Sequence, residues 1–312
     1  CLSNPGAASA IIREVSELLR VSSNVDMVFI GQSDTSIYCK CDNCNAVRAK
    51  YGGWDSARRV QIPGNLPDRQ RPRQKIRVTM WNDFGGFAGL QIEFINKIAR
   101  ALQSEFPDVA VGTWAFYSNR RPPRGIKAHE NVMIMHAPWT RADGKKSRCY
   151  CHSIDSGPIN DDFANFGAEL GAWTRIARKI YVYDYWLSGW YGQPVNVPTI
   201  RRTLRFYRKL GVEGVWLCGT HGIPAGFEWL TFWLWSQLAW NPDFDAEQGI
   251  DEFCKAYYGA AAPYIKQYLD LASRPENYVM DPRPDILSVG LGGGTAVFTD
   301  DAYRPIQYDR LR

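Results

Sequence analysis

Apolar residues at Ile11, Ile12, Val15, Leu18 and Leu19 recur at the spacing of one helical face, which predicts a helix over residues 8–19. The compact apolar run Met27-Val28-Phe29-Ile30, within residues 26–31, then reads as a short buried strand. The unit repeats. Leu90, Ile92, Ile95, Ile98, Ala99 and Leu102 stripe a helix over residues 89–103, and a strand over 109–117 follows the Pro107-Asp108 break. Farther on come a strand over 132–136, a helix from about residue 162 to 178, a strand over 179–185 and a helix over 198–210. Gly211 then leads into a strand over 215–219, and a Trp- and Leu-rich helix spans 227–239.

Five buried strands alternating with helices pair in parallel through right-handed crossovers, so the choice lies between an open doubly wound sheet and a closed barrel. No strand is followed by a Gly-rich dinucleotide turn or a P-loop. The Gly-rich run at 290–294 has no Lys-Ser/Thr behind it and reads as a loop. The expected fold class is therefore α/β, a (β/α)8 TIM-barrel-like arrangement, with this chain supplying about five βα units. The expected division is a partial barrel domain over 1–240, with C-terminal helices and a tail over 241–312 packed on it. Since five strands do not close a barrel of eight, another chain or segment is expected to complete it.

Composition adds two things. The 312 residues are 45% hydrophobic and 22% charged, which fits a folded globular protein, and the 12 Trp, 16 Tyr and 14 Phe supply faces that stack on sugar rings as well as filling cores. The formal charge of +5 is scattered, except for a run at 58–75 that contains Pro63, Pro67 and Pro72 and reads as a solvated loop, so no nucleic-acid partner is expected. No apolar run approaches the roughly 20 residues of a membrane span, and no signal peptide opens at Cys1.

In a barrel the reacting groups stand at the C-terminal ends of the strands. Those positions hold Gln32, Ser33 and Asp34; Trp114 and Tyr117; His136; Tyr183, Asp184, Tyr185 and Trp186; and His221, with Glu228 opening the next helix. Glycoside hydrolysis needs an acid for the leaving oxygen and a second group for the positive charge at the anomeric carbon, which makes Asp34, Asp184 and Glu228 the catalytic candidates. Each has a plainer reading: Asp34 as a cap, Asp184 as partner of a barrel Arg, Glu228 as complement to its helix N-terminus. His136 and His221 read as structural or substrate-contact residues, for no metal-binding His pattern surrounds them, and Gly-x-Ser-x-Gly is absent around Ser33.

Cys39-x-Cys41-x-x-Cys44 clusters three thiols, and Cys149-x-Cys151-His152 offers more ligands at a distance. Either a structural Zn²⁺ site or one or two disulfides with a free thiol fits this spacing, while Cys218 and Cys254 read as plain buried residues. No cofactor is expected for catalysis itself.

Several runs together resemble the bacterial glycoside-hydrolase-like proteins labelled a domain of unknown function (the 4838 type), some of which form glycoside hydrolase family 163. They are Cys1-Leu2-Ser3-Asn4-Pro5, Gln32-Ser33-Asp34, Tyr38-Cys39-x-Cys41-x-x-Cys44, Phe94 to Ala99, Tyr181 to Tyr185, Arg205-Phe206-Tyr207, Gly211 to Gly214, Trp240 to Asp243 and Tyr257 to Ala261. The resemblance runs to about Leu271. It implies a retaining endo-β-N-acetylglucosaminidase acting on the chitobiose core of N-glycans, with the substrate's 2-acetamido oxygen as nucleophile and Asp34 first among the site carboxylates. Such an enzyme is expected to be secreted, periplasmic or on the cell surface, with a glycan or glycoprotein as substrate. The chain departs from the family in carrying Ser33 where Asn is usual, and in its Arg- and Pro-rich stretch at 58–75.

Overall fold

The computed structural model describes residues 1–22, 24–32, 39–52, 84–116, 119–138, 166–184, 197–218 and 227–272. In chain order these form α1 (Pro5–Val21), β1 (Met27–Phe29), α2 (Asp42–Lys50), α3 (Phe84–Gln103), β2 (Ala110–Ala115), β3 (Val132–His136), α4 (Phe166–Trp173) and β4 (Lys179–Asp184). Then come α5 (Val197–Lys209), β5 (Gly214–Leu217), α6 (Glu228–Trp240), α7 (Ala246–Tyr258), a 3-10 turn (Gly259–Ala261) and α8 (Ala262–Ala272). The five strands lie in sequence order in one parallel sheet. The described residues therefore make a parallel half-barrel sheet with helices, and no closed eight-stranded barrel is present among them.

The register explains which side chains face which layer. Ala115 pairs with His136, and His136 with Val182, so Val111, Thr113, Val132, Ile134, His136, Ile180 and Val182 share one face. That face receives α3, whose Ile92, Ile95, Ile98, Ala99 and Leu102 are buried. Burying each of the larger aliphatic side chains contributes about 1.5–3 kcal/mol. The opposite face carries Met27, Phe29, Gly112, Trp114, Met133, Met135, Tyr181 and Tyr183. There Met27 and Phe29 are each 40% exposed, which leaves this side of the sheet partly open.

By packing, the chain falls into two compact units. The first comprises residues 1–139, 166–183 and 210–214. In it α3 packs against α1 and α2 as well as the sheet, and its polar Gln91 and Asn96 are buried with hydrogen-bond partners, Gln91 on Thr113 and Asn96 on the Lys127 carbonyl. Asn4 starts α1 by accepting the Gly6 N–H at 2.9 Å with Pro5 in the first turn, and Arg20 near its end holds Glu105 through two hydrogen bonds of 2.6 and 2.8 Å.

The second unit comprises residues 140–165, 184–209 and 215–312. Its described part is mainly α5 to α8. Leu230, Leu234, Trp235 and Leu238 form the buried stripe of α6, and Trp233 packs edge-on against Phe244. Asp245 caps α7 by accepting the N–H groups of Glu247 and Gln248.

Candidate functional site

At the C-terminal end of β1 and β2 the first unit builds a buried polar network. Gln32 follows β1; its amide donates to the Phe116 carbonyl at 3.2 Å, and its oxygen accepts from the Asn119 amide at 2.7 Å. Asn119 also donates to the Trp114 carbonyl at 3.0 Å and to the Gln91 side-chain oxygen, while its own oxygen accepts the Phe116 N–H at 2.9 Å. Gln91, reaching in from α3, donates to the Thr113 hydroxyl, which in turn donates a hydrogen bond to the Ile30 carbonyl at 2.8 Å. Every amide here works as donor and acceptor, which offsets the cost of burying it and fixes the backbone on both strands.

Beside this network stands a cluster of rings. Trp114 meets Phe29 edge-on at 5.1 Å and Tyr183 edge-on at 5.2 Å, with Phe116 at 6.3 Å. Trp114, Tyr183 and Gln32 are each only partly buried. The indole lies so close over Gly31 that a Cβ there would stand 2.8 Å from its Cδ1. Glycine is required at this position by close approach rather than by its dihedral angle.

Under the strand ends, Arg120 forms a two-pronged ion pair with Glu169 of α4 at 2.7 and 3.1 Å, and Arg121 approaches the same carboxylate at 3.5 Å. The Trp173 indole N–H donates to the Arg120 carbonyl at 2.6 Å, tying α4 to this segment.

In the second unit the Asp184 carboxylate is buried and accepts a 2.6 Å hydrogen bond from the Tyr207 hydroxyl of α5. Its backbone carbonyl takes the Cys218 N–H at 2.7 Å. Glu228 is the first residue of α6, half-buried, where its charge complements the positive end of the helix.

Of the residues expected at the site, Gln32, Trp114 and Tyr183 come together in the first unit. His136 ends β3 fully buried on the helix-covered face, opposite to the side of Trp114 and Tyr183. Asp184 and Glu228 belong to the second unit. Ser33, Asp34, Tyr117, Tyr185, Trp186 and His221 lie outside the described residues, as do Cys149, Cys151 and His152. Gln91, Thr113 and Asn119 were not singled out in the sequence; Gln91 and Thr113 offer one signal, a polar residue interrupting an apolar pattern, and Asn119, within the polar run Ser118 to Arg121, offers none.

Cys39, Cys41 and Cys44 are brought together, and Cys1 joins them, with the four sulfurs all within 4.8 Å of one another. The Cys44 backbone N–H, then the Ser3 hydroxyl and the thiols of Cys39 and Cys44, pull the Cys41 thiol down to about 7. Cys254 is buried, as its apolar context suggested, and Cys218 is partly buried.

Residues 1–270 match the family described as Domain of unknown function (DUF4838). The chain belongs to this family. Among solved structures, the DUF4838 chain is similar to a GH138 enzyme targeting pectin rhamnogalacturonan II, with 10% identity and a TM-score of 0.33 over 62% of this chain and 28% of that one. The DUF4838 chain thus spans under a third of that enzyme's length, and a likeness at this level decides nothing about its chemistry. No curated protein matches it. No helix among the described residues is long and apolar enough to cross a membrane.

Proposed function

We propose that this chain contributes the cleft of a retaining glycoside hydrolase that cleaves β-linked N-acetylglucosamine in N-glycans, the substrate's own 2-acetamido oxygen acting as nucleophile. The observation that carries the reading is the juxtaposition of Gln32, locked by Asn119, with the partly exposed Trp114–Tyr183 pair at the C-terminal ends of parallel strands. Fixed amides select hydroxyl and acetamido groups, and ring faces take the apolar side of a sugar; parallel α/β sheets bind ligands at this end. Asp34, two residues beyond Gln32, is the first choice for the carboxylate that protonates the leaving oxygen or holds the acetamido N–H. Asp184 and Glu228 are the second choices.

The same reading makes the protein secreted, periplasmic or cell-surface, with a further segment or chain completing the barrel and with catalysis needing no cofactor. A catalytically silent carbohydrate-binding barrel would keep the ring cluster too. Incubation with complex and high-mannose glycoproteins, followed by mass spectrometry of the soluble fraction, separates the two. Released oligosaccharides ending in a single N-acetylglucosamine are expected; glycan binding without release establishes the binding module instead.

A further inference from the structure

We propose that Cys1, Cys39, Cys41 and Cys44 form a tetrahedral four-thiolate site for Zn²⁺ that fastens the start of α1 to the segment between β1 and α2. Cys1 Sγ stands 3.6 Å from Cys44 Sγ and 3.7 Å from Cys41 Sγ, and all four sulfurs lie within 4.8 Å. Four sulfurs at about 2.3 Å from a common Zn²⁺ in tetrahedral geometry are separated by about 3.8 Å along each edge. A disulfide would draw one pair to about 2.05 Å and leave the others outside its reach. Instead Cys1 is nearly equidistant from two partners, as it would be around a common centre.

The surroundings suit thiolates. Cys41 is the N-cap residue of α2 and Cys44 lies in its first turn, so both sit at the positive end of the helix. The Ser3 hydroxyl is 3.1 Å from Cys44 Sγ and 3.3 Å from Cys1 Sγ, close enough to donate to a coordinating sulfur. Cys44 is fully buried while Cys1 and Cys41 are exposed, so the site would be anchored in the protein and open on its outer side for metal entry.

What the metal would do follows from the chain path. Two separate pieces meet at it: the residues before α1, and the segment that runs from Cys39 into the first turn of α2. α2 is short and polar, with Cys44 its one buried residue, so apolar packing alone holds it weakly. The metal would supply the missing anchor. It would also hold Cys39 at one end of residues 33–38, whose other end follows Gln32, itself held by Asn119.

The test uses the full chain, purified without added chelator. One Zn²⁺ per chain is expected by elemental analysis, released stoichiometrically as a mercurial reagent consumes the thiols. X-ray absorption at the zinc edge should show four sulfurs at about 2.3 Å. Exchange with Co²⁺ should give the intense visible bands of tetrahedral cobalt and sulfur-to-metal charge transfer. Cys1→Ser should lose zinc to a competing chelator at least 10-fold more readily, whereas Cys254→Ser and Cys149→Ser should not. Disulfides among the four cysteines in denatured, unreduced, alkylated protein would overturn the proposal. So would full retention of zinc by Cys1→Ser, or a first shell with nitrogen or oxygen in place of the fourth sulfur; the disulfide and first-shell readouts are made on the unmodified chain and stand even where a variant fails to fold.

Discussion

The Tyr207 hydroxyl donates a 2.6 Å hydrogen bond to Asp184 Oδ2, and both side chains are buried. A carboxylate withdrawn from water is stabilised by each donor it keeps. Tyr207→Phe removes one and leaves the volume almost unchanged, so unfolding in urea should show a loss of about 1–3 kcal/mol. Asp184→Asn keeps an acceptor for the hydroxyl and should cost less. If Asp184→Asn abolishes glycan release while Tyr207→Phe mainly lowers stability, the carboxylate is chemical as well as structural; if Asp184→Asn leaves turnover intact, it is structural alone.

The Arg120–Glu169 pair is 3% and 5% exposed, so its partners depend on each other. Glu169→Leu takes the carboxylate away from both Arg120 and Arg121 and should destabilise by about 3–5 kcal/mol, read as a lowered denaturation midpoint. Arg120→Met should cost less, because Arg121 still approaches Glu169. Equal losses in the two variants would show that Arg121 contributes nothing to holding the carboxylate.

How much of this was legible beforehand depends on the kind of signal. The strand over 132–136 appears at the same residues because a compact apolar run opens after Asn131 and is closed off by Pro138; α1, α3 and α5 follow from apolar residues at helical spacing, and α6 from its concentration of Trp and Leu. α2 was not anticipated, for nine residues with one buried side chain produce no stripe. The site was visible only where it coincided with a strand end. Gln32 was, but its partner Asn119 lies 87 residues away beyond another strand, and Asn119 in turn meets Gln91 of α3, 28 residues before it. Cys1 was missed as a neighbour of the thiol cluster for the same reason, being 38 residues from Cys39 along the chain but adjacent in space. His136 shows the converse: its place at a strand end was read correctly, but the parity of β3 turns it to the helix-covered face.

Close approach of Trp114 to Gly31 gives a sharper test of the ring cluster. A methyl group at Gly31 would meet the indole at 2.8–2.9 Å and Phe29 at 3.3 Å, so Gly31→Ala should cost about 1–3 kcal/mol and shift the tryptophan emission. In a Trp114→Ala background the same change should cost much less, and the difference is the coupling between the two positions. An unchanged cost in both backgrounds would mean the indole does not occupy the space over Gly31.

Asp34 carries the mechanistic proposal. Asp34→Asn keeps the size of the side chain and removes the charge and the transferable proton, so turnover of a natural N-glycan should fall by at least ~10²-fold, the scale of general acid–base effects. The two roles open to it separate by leaving group. An acid is dispensable when the leaving group departs unaided, so an aryl glycoside of N-acetylglucosamine-terminated substrate should then be hydrolysed by Asp34→Asn at close to the normal rate. A carboxylate that orients the acetamido N–H and stabilises the oxazolinium-like charge is needed whatever departs, and the aryl substrate should be as impaired as the natural one. The pH profile separates them again, since an acid must be protonated at the working pH and an orienting carboxylate must be ionised. Near-normal hydrolysis of the natural glycan by Asp34→Asn would remove this residue from the mechanism and transfer the assignment to Asp184 or Glu228.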